Sequence, residues 1–324
     1  MKIYITRRIP EIGIKMLKDR GYDLDINPKD RVLSKSELVK ILKNNSYHAV
    51  LCLLTDKIDG DVFDAASNAK IFANYAVGFD NINLEEAKKR GVMISNTPGV
   101  LSEAVAEHSI ALMLTVSRRI AESDKFARAG KYKGWAPMLL LGNGFFGKTV
   151  GIVGLGRIGT KTAHMASQGF GSKVIYYDIK RNEDFEKEFP SGSIEFKPSI
   201  DEVLKQADFV SVHLPLTEQT KHIINKEKLA MMKPSAFIVN TSRGPIIDEN
   251  ALVEALRNKV IKGAGLDVFE FEPKISKGFF KMDNVVLTPH TASATEEARS
   301  KMSEVAAQNI IEALEGRIPP NLVK

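Results

Sequence analysis

Histidine is the side chain best suited to exchange a proton near neutral pH, and this chain has six. His48 precedes a strand-like run, His108 and His164 fall in helical patterns, and His222 sits in a charged stretch. His213 and His290 instead stand at the C-terminal ends of strand-like runs, where open α/β sheets bind ligands. Val285-Val-Leu-Thr-Pro289 ends in a proline that stops the strand and presents His290 at its edge, so His290 is the stronger candidate acid and base. His108 reads as a packed residue.

Two further strand ends carry charge. Arg243 follows Phe237-Ile-Val-Asn240 with Gly244 to turn the chain, and a guanidinium fork suits a 2-oxo carboxylate. Asp267 ends Gly263-Ala-Gly-Leu266, with Glu270 and Glu272 just beyond it. A carboxylate beside His290 would fix the ring tautomer and favour its protonated form.

Gly154-Leu155-Gly156-Arg157-Ile158-Gly159 has the spacing of a dinucleotide turn, and it follows the strand-like run Thr149–Val153 and opens a helical pattern. The first glycine permits the tight turn, the second lets a pyrophosphate approach the backbone, and the third allows close helix packing. The helix start supplies free N–H groups to the phosphates. Nineteen residues past Gly159, Asp178 ends the next strand pattern, placed for ribose hydroxyls. Its charge favours NAD over NADP, whereas Lys180 and Arg181 leave NADP open.

These residues need a parallel sheet to hold them. Short apolar runs at 2–6, 49–54, 70–75 and 92–96 alternate with helical patterns at 9–20 and 36–43. A second alternating series has strand candidates at 149–153, 173–177, 209–214, 236–240, 263–268 and 285–288. Alternation of this kind means parallel α/β sheets. A continuous helix is expected over 101–120, apolar nearly all round, and a final helix over 295–315. The segment 130–147 carries Trp135, Met138, Leu139, Leu140, Leu141, Phe145 and Phe146, an apolar loop that suits a subunit interface better than water.

Length and composition agree with two globular domains: 324 residues, 44% hydrophobic, 27% charged. The net charge of +6 is scattered, without a basic run, so no nucleic-acid partner is expected. No apolar stretch reaches membrane-spanning length, no signal-peptide pattern follows Met1, and the single Cys52 lies in an apolar run, so a cytoplasmic protein is expected. No metal is expected.

The chain resembles the D-isomer-specific 2-hydroxyacid dehydrogenase family over nearly its full length. The resemblance is carried by Asn74-Tyr-Ala-Val-Gly-Phe-Asp-Asn-Ile82, Asn96-Thr-Pro-Gly99 with Ala106-Glu-His108, Val153-Gly-Leu-Gly-Arg-Ile-Gly159 and His213-Leu-Pro-Leu-Thr217. It continues in Asn240-Thr-Ser-Arg-Gly244, Gly263-Ala-Gly-Leu-Asp-Val268 with Glu272-Pro273, and Leu287-Thr-Pro-His290. Within the family, Trp135 to Gly142 and the ending Arg317-Ile-Pro-Pro-Asn-Leu322 most resemble the glyoxylate and hydroxypyruvate reductases.

The resemblance implies a Rossmann-type, doubly wound NAD-binding domain over 99–291 and a flavodoxin-like substrate domain built from 1–98 and 292–324, with the active-site cleft between them. Arg243 would hold the substrate carboxylate, His290 would be acid and base, and Glu272 its partner. Backbone N–H groups of Val77 and Gly78 would cradle the carboxylate, with Leu53 nearby. Besides the glycine turn and Asp178, the cofactor would meet His213, Pro215, Thr241, Ser242, Asp267 near the nicotinamide amide, Val105 and Ala292. His213 would serve binding and not proton transfer. The activity implied is reduction of glyoxylate or hydroxypyruvate to a 2-hydroxy acid in a homodimer. D-Lactate or D-3-phosphoglycerate dehydrogenase chemistry, and a cofactor-sensing co-repressor without catalysis, are the alternatives. Val105 where Thr is common, and Thr291-Ala292-Ser293 where relatives carry Ile-Gly or Ile-Ala, bear on substrate preference.

Overall fold

The computed structural model describes residues 1–323. The chain divides into two compact units, one made of Met1–Leu101 together with the chain from Ala294 onward, the other of Ser102–Ser293.

The first unit holds the strands β1 (Lys2–Ile5), β2 (Asp23–Ile26), β3 (Ala49–Leu53), β4 (Ile71–Tyr75) and β5 (Met93–Ser95). They form a parallel sheet in the order β2-β1-β3-β4-β5. β3 and β4 are buried on both faces, which is why β3 reads as an unbroken apolar run and β4 as one interrupted only by Asn74. The helix Glu296–Leu314 belongs to this unit and lies against the helix Glu11–Asp19. Gly13 makes that approach possible, since a Cβ there would meet the Ser303 carbonyl oxygen at 2.3 Å. The Ser303 hydroxyl donates to the Pro10 carbonyl and accepts from the Gly13 N–H, closing the helix pair.

The second unit holds β6 (Thr149–Val153), β7 (Lys173–Tyr177), β8 (Ile194–Phe196), β9 (Phe209–Val212), β10 (Phe237–Asn240), β11 (Gly263–Leu266) and β12 (Val285–Leu287). The order is β12-β11-β10-β9-β6-β7-β8, all parallel. The chain starts at the centre with β6, builds outward through β7 and β8, then returns to β9 on the other side. That reversal between β6 and β9 is the switch point at which open parallel sheets bind ligands beyond their carboxyl ends. Val150, Val210, Ile238 and Ala264 are fully buried along the middle of the sheet. Burial of each of the larger side chains contributes about 1.5–3 kcal/mol.

Three local features depart from expectation. The edge strands β2 and β8 were not anticipated: Asp23-Leu-Asp-Ile26 and Ile194-Glu-Phe196 are short, charged and only partly buried, so they lack a continuous apolar signature. The expected helix over 101–120 ends at Ser117. Arg119 takes a left-handed backbone (φ 55°) and starts a second helix, Ile120–Arg128, a break that side-chain periodicity does not show. The short helices Gly60–Ala65, Leu84–Lys89 and Glu183–Glu186 were also not anticipated.

Candidate active site

Every candidate residue of the second unit outside its first helix follows a strand end or the turn after one. At the end of β6, Gly154 has φ 97°, and a Cβ there would meet the His213 carbonyl oxygen at 2.7 Å. A Cβ on Gly159 would meet the Gly154 carbonyl oxygen at 2.1 Å. These two glycines are therefore demanded by the fold itself. Gly156 is different: it is exposed, and nothing lies within 4 Å of where its Cβ would be. It caps the helix Arg157–His164 without any side-chain hydrogen bond, so the first N–H groups of that helix, from Arg157 and Ile158, lack a side-chain acceptor among the described residues. Open space over Gly156, uncapped N–H groups and a carboxylate at the next strand end fit a dinucleotide pyrophosphate and ribose.

That carboxylate, Asp178, accepts from the N–H groups of Leu155 and Ile179, both at 2.7 Å. Leu155 itself is buried. Arg181, a candidate for a 2′-phosphate, is committed to Glu186 at 2.7 Å. Pro215 is exposed after β9, and its carbonyl accepts from the Thr220 hydroxyl. His213 Nε2 meets the Ser211 hydroxyl at 2.9 Å. The ring is partly buried, and burial pushes its pKa down to about 3, which leaves it neutral and unsuited to donate a proton at neutral pH.

After β10, Asn240 shapes the turn. Its side chain donates to the Arg243 carbonyl and accepts from the N–H and hydroxyl of Ser242, whose hydroxyl also reaches the Val212 carbonyl. Thr241 is buried with its hydroxyl 2.9 Å from that of Ser109. Arg243 leaves this turn half-buried, donating to the Ser242 carbonyl at 2.8 Å. Gly244 comes next, and a Cβ there would overlap the Phe269 carbonyl carbon at 1.9 Å. Only glycine lets the Arg243 turn press against the backbone of the loop that carries Glu272.

In that loop Glu272 Oε1 accepts from the Phe269 N–H, and Oε2 lies 3.0 Å from His290 Nδ1. The pair is neither sealed nor fully exposed, at 26% and 32% of side-chain surface for His290 and Glu272. His290 Nε2 makes no hydrogen bond among the described residues. The carboxylate thus orients the ring and leaves its other nitrogen for a reacting group. His222 is placed elsewhere, 2.7 Å from Glu270, while the buried Glu249 accepts from the N–H groups of Glu270 and Ser276 and so pins both ends of the turn containing Glu272.

Asp267 lies fully buried at the end of β11. Oδ1 accepts from the Thr288 hydroxyl at 2.6 Å and the Thr291 N–H at 2.8 Å, and Oδ2 accepts from the Ala292 N–H at 2.8 Å. Burial opposes its ionisation, but the His108 ring 3.5 Å away and the hydrogen bonds from Thr288, Thr291 and Ala292 outweigh burial and hold the carboxyl below its usual range. The resemblance implies a contact between Asp267 and the nicotinamide amide. In the single chain the Asp267 side chain is fully buried, with these donors of its own chain on its oxygens. Ala292 and Val105 are buried as well. His108, read from sequence as packing, meets Thr288 at 3.0 Å, a contact between segments 180 residues apart that no local pattern signals.

In the first unit, Val77 and Gly78 sit in a turn after β4. The Asn96 side chain takes the Val77 carbonyl, and the Asn74 side chain takes the Gly78 carbonyl. Asn81 ties this turn to Leu53 through the Leu53 carbonyl. Their carbonyls are engaged, whereas the N–H groups of Val77 and Gly78 have no acceptor among the described residues, a pair of donors suited to an anion.

Residues 110–292 match the family described as D-isomer specific 2-hydroxyacid dehydrogenase, NAD binding domain. The full chain is 49% identical over 324 residues to the glyoxylate reductase of Thermofilum pendens, covering 99% of this chain and 94% of that one. The chain belongs to the D-isomer specific 2-hydroxyacid dehydrogenase family. It is also 47% identical over 326 residues to the glyoxylate reductase of Thermococcus litoralis, covering 99% and 96% of the two chains. Among solved structures, the NADPH-dependent glyoxylate/hydroxypyruvate reductase of Sinorhizobium meliloti, in complex with NADP and malonate, superposes with a TM-score of 0.84 at 28% identity, covering 99% and 96% of the two chains. The matched NAD-binding stretch includes the open Gly156 turn. Among the described residues, no helix is long and apolar enough to cross a membrane.

Proposed function

We propose that this protein is a glyoxylate reductase, converting glyoxylate and hydroxypyruvate to 2-hydroxy acids with His290 as acid and base. The observation that carries the reading is the 3.0 Å contact of His290 Nδ1 with Glu272, which leaves Nε2 available.

The nicotinamide cofactor, when bound, supplies the hydride that reaches the carbonyl carbon. Gly156, Arg157 and Ile158 would hold its pyrophosphate and Asp178 its ribose, with His213, Pro215, Thr241 and Ser242 beside it. His290 delivers its Nε2 proton to the substrate carbonyl oxygen, which becomes the hydroxyl; in the oxidative direction it takes that proton back. Glu272 stabilises the protonated ring across Nδ1, so the charge that develops on His290 always faces a carboxylate. Arg243 binds the substrate carboxylate as a fork and polarises the neighbouring carbonyl. The N–H groups of Val77 and Gly78 are a second set of carboxylate donors, with Leu53 at their side. Asp267, Val105 and Ala292, all buried in the single chain, would complete the cofactor set.

Asp178 repels a 2′-phosphate, and Arg181 is already paired with Glu186, so NADH is the preferred reductant. The protein works as a homodimer: Trp135, Met138, Leu141 and Phe146 are 82%, 76%, 56% and 77% exposed in the single chain, large apolar side chains that a partner subunit would cover. Absorbance at the reduced-nicotinamide band tests the reading. Glyoxylate-dependent NADH oxidation is expected, and its absence with every small 2-oxo acid would overturn it.

A further inference from the structure

His108 lies on the helix Ser102–Ser117, one turn before Leu112. That helix presses on β11, where a Cβ on Gly265 would meet Leu112 Cβ at 2.9 Å. The close approach brings the His108 ring to the ends of β11 and β12. Its Nε2 lies 3.0 Å from Thr288 Oγ1 and 3.5 Å from Asp267 Oδ1, and Thr288 Oγ1 lies 2.6 Å from the same Asp267 oxygen.

The donors in this group can be assigned without seeing a hydrogen. A threonine hydroxyl has one proton to give, and an ionised carboxylate can only accept. Asp267 is buried among donors and stays ionised, so the Thr288 proton points to it. Thr288 must therefore accept from His108, which places a proton on His108 Nε2. A histidine that only packs has no such requirement.

The consequence of this chain of donors falls on His290. Asp267 takes the Thr288 hydroxyl and the N–H groups of Thr291 and Ala292 with its side chain, and the His290 N–H with its carbonyl at 2.8 Å. The segment 288–292 is thus wrapped around one carboxylate. At its centre His290 has φ 55°, a left-handed backbone that a residue with a Cβ keeps only when its neighbours over-determine it.

We propose that His108 is a positioning residue: its Nε2–H, acting through Thr288, fixes Asp267 and so holds His290 in the backbone conformation that turns its ring toward Glu272. The proposal rests on His290 being the acid and base assigned above.

The test compares wild type with His108→Ala, His108→Gln, Thr288→Val and the double variant His108→Ala/Thr288→Val. It measures kcat and KM for glyoxylate, the NADH dissociation constant by fluorescence, and the thermal midpoint. His108→Ala is expected to lower kcat roughly tenfold, while KM and NADH affinity stay within about threefold. His108→Gln, whose amide N–H can replace Nε2–H, is expected to recover kcat to within about threefold of wild type. Thr288→Val should match His108→Ala, and the double variant should be no worse than either, because residues of one network do not add. An unchanged kcat in His108→Ala, additive losses in the double variant, or a folded Gln variant no better than Ala would overturn the proposal. Nitrogen-15 spectra of the histidines in the wild-type protein provide a readout independent of catalysis. A proton on His108 Nε2 that becomes labile in Thr288→Val supports the network, and a neutral ring protonated only at Nδ1 contradicts it. A wild-type protein without reductase activity would refute the proposed function, and the spectra would still decide the network.

Discussion

The Nδ1 nitrogen of His290 and the Oε2 oxygen of Glu272 lie 3.0 Å apart, with Glu272 Oε1 anchored on the Phe269 N–H. One carboxylate oxygen is used to hold the loop and the other to hold the ring, which makes Glu272 a fixed partner and not a mobile surface acid. Replacing His290 by Asn is expected to lower kcat by about 10²–10⁴-fold, the range for losing a general acid. Glu272→Gln should lower kcat by a smaller factor, roughly tenfold to a hundredfold, because the ring remains but its protonated form loses a charged partner. Steady-state kinetics with glyoxylate varied at saturating NADH measure both.

The glycine turn separates fold from binding. Gly159→Ala should destabilise the second unit by about 2 kcal/mol or more, since the new Cβ would meet the Gly154 carbonyl at 2.1 Å. Gly156→Ala meets open space and should leave the thermal midpoint within a few degrees while weakening NADH binding. Differential scanning fluorimetry together with NADH titration distinguishes the two. Equal loss of stability in both variants would contradict this division.

His213 makes acid stability testable. Its folded pKa is near 3 and its ordinary value 6.5. Between those values the unfolded chain binds a proton that the folded chain does not, so stability is full above pH 6.5 and falls as pH drops toward 3. The limiting slope is about 1.4 kcal/mol per pH unit, reduced by the partial exposure of the ring. Urea unfolding at pH 7.5 and pH 5.0 should show wild type losing of order 1 kcal/mol more than His213→Gln. Equal losses would show that the ring titrates normally in the folded state.

What could be read from the residues alone follows a physical line. Parallel α/β architecture was legible because strands buried on both faces, such as Ala49–Leu53 and Thr149–Val153, are almost wholly apolar runs. The strand-end positions of Arg243, Asp267 and His290 and the glycine turn were legible because turn chemistry is local. The edge strands β2 and β8 were not, since an edge position relaxes the demand for apolar residues. Contacts between distant segments were equally hidden. Gly244 against Phe269, His108 on Thr288 and Glu249 at both ends of the Glu272 turn depend on how helices and loops meet, and no spacing along the chain encodes them. Asp267 shows the same limit, because its position at a strand end was readable while its complete burial was not.

Cofactor choice turns on Asp178. Replacing it by Ser should leave NADH activity reduced by several-fold and raise the ratio of NADPH to NADH efficiency by at least about tenfold, as a carboxylate facing a 2′-phosphate is removed. A parallel comparison of both reduced cofactors at fixed glyoxylate checks this. A wild-type protein that already prefers NADPH would refute the charge argument.

The apolar loop predicts assembly. Trp135→Asp combined with Met138→Asp should shift the protein from dimer to monomer in sedimentation velocity, because both side chains are more than three-quarters exposed in the single chain. A monomeric wild type would contradict the proposed dimer.

The most direct measurement of the central claim is glyoxylate reduction by wild type and by His290→Asn, followed from pH 5 to pH 9 with NADH saturating. Wild type should reduce glyoxylate faster at the acid end of this range than at the alkaline end, because reduction consumes a proton that His290 must deliver. His290→Asn should be slower by at least about a hundredfold and should lose that dependence. A variant that retains wild-type turnover, or keeps the same pH profile at reduced rate, would show that the proton comes from another group.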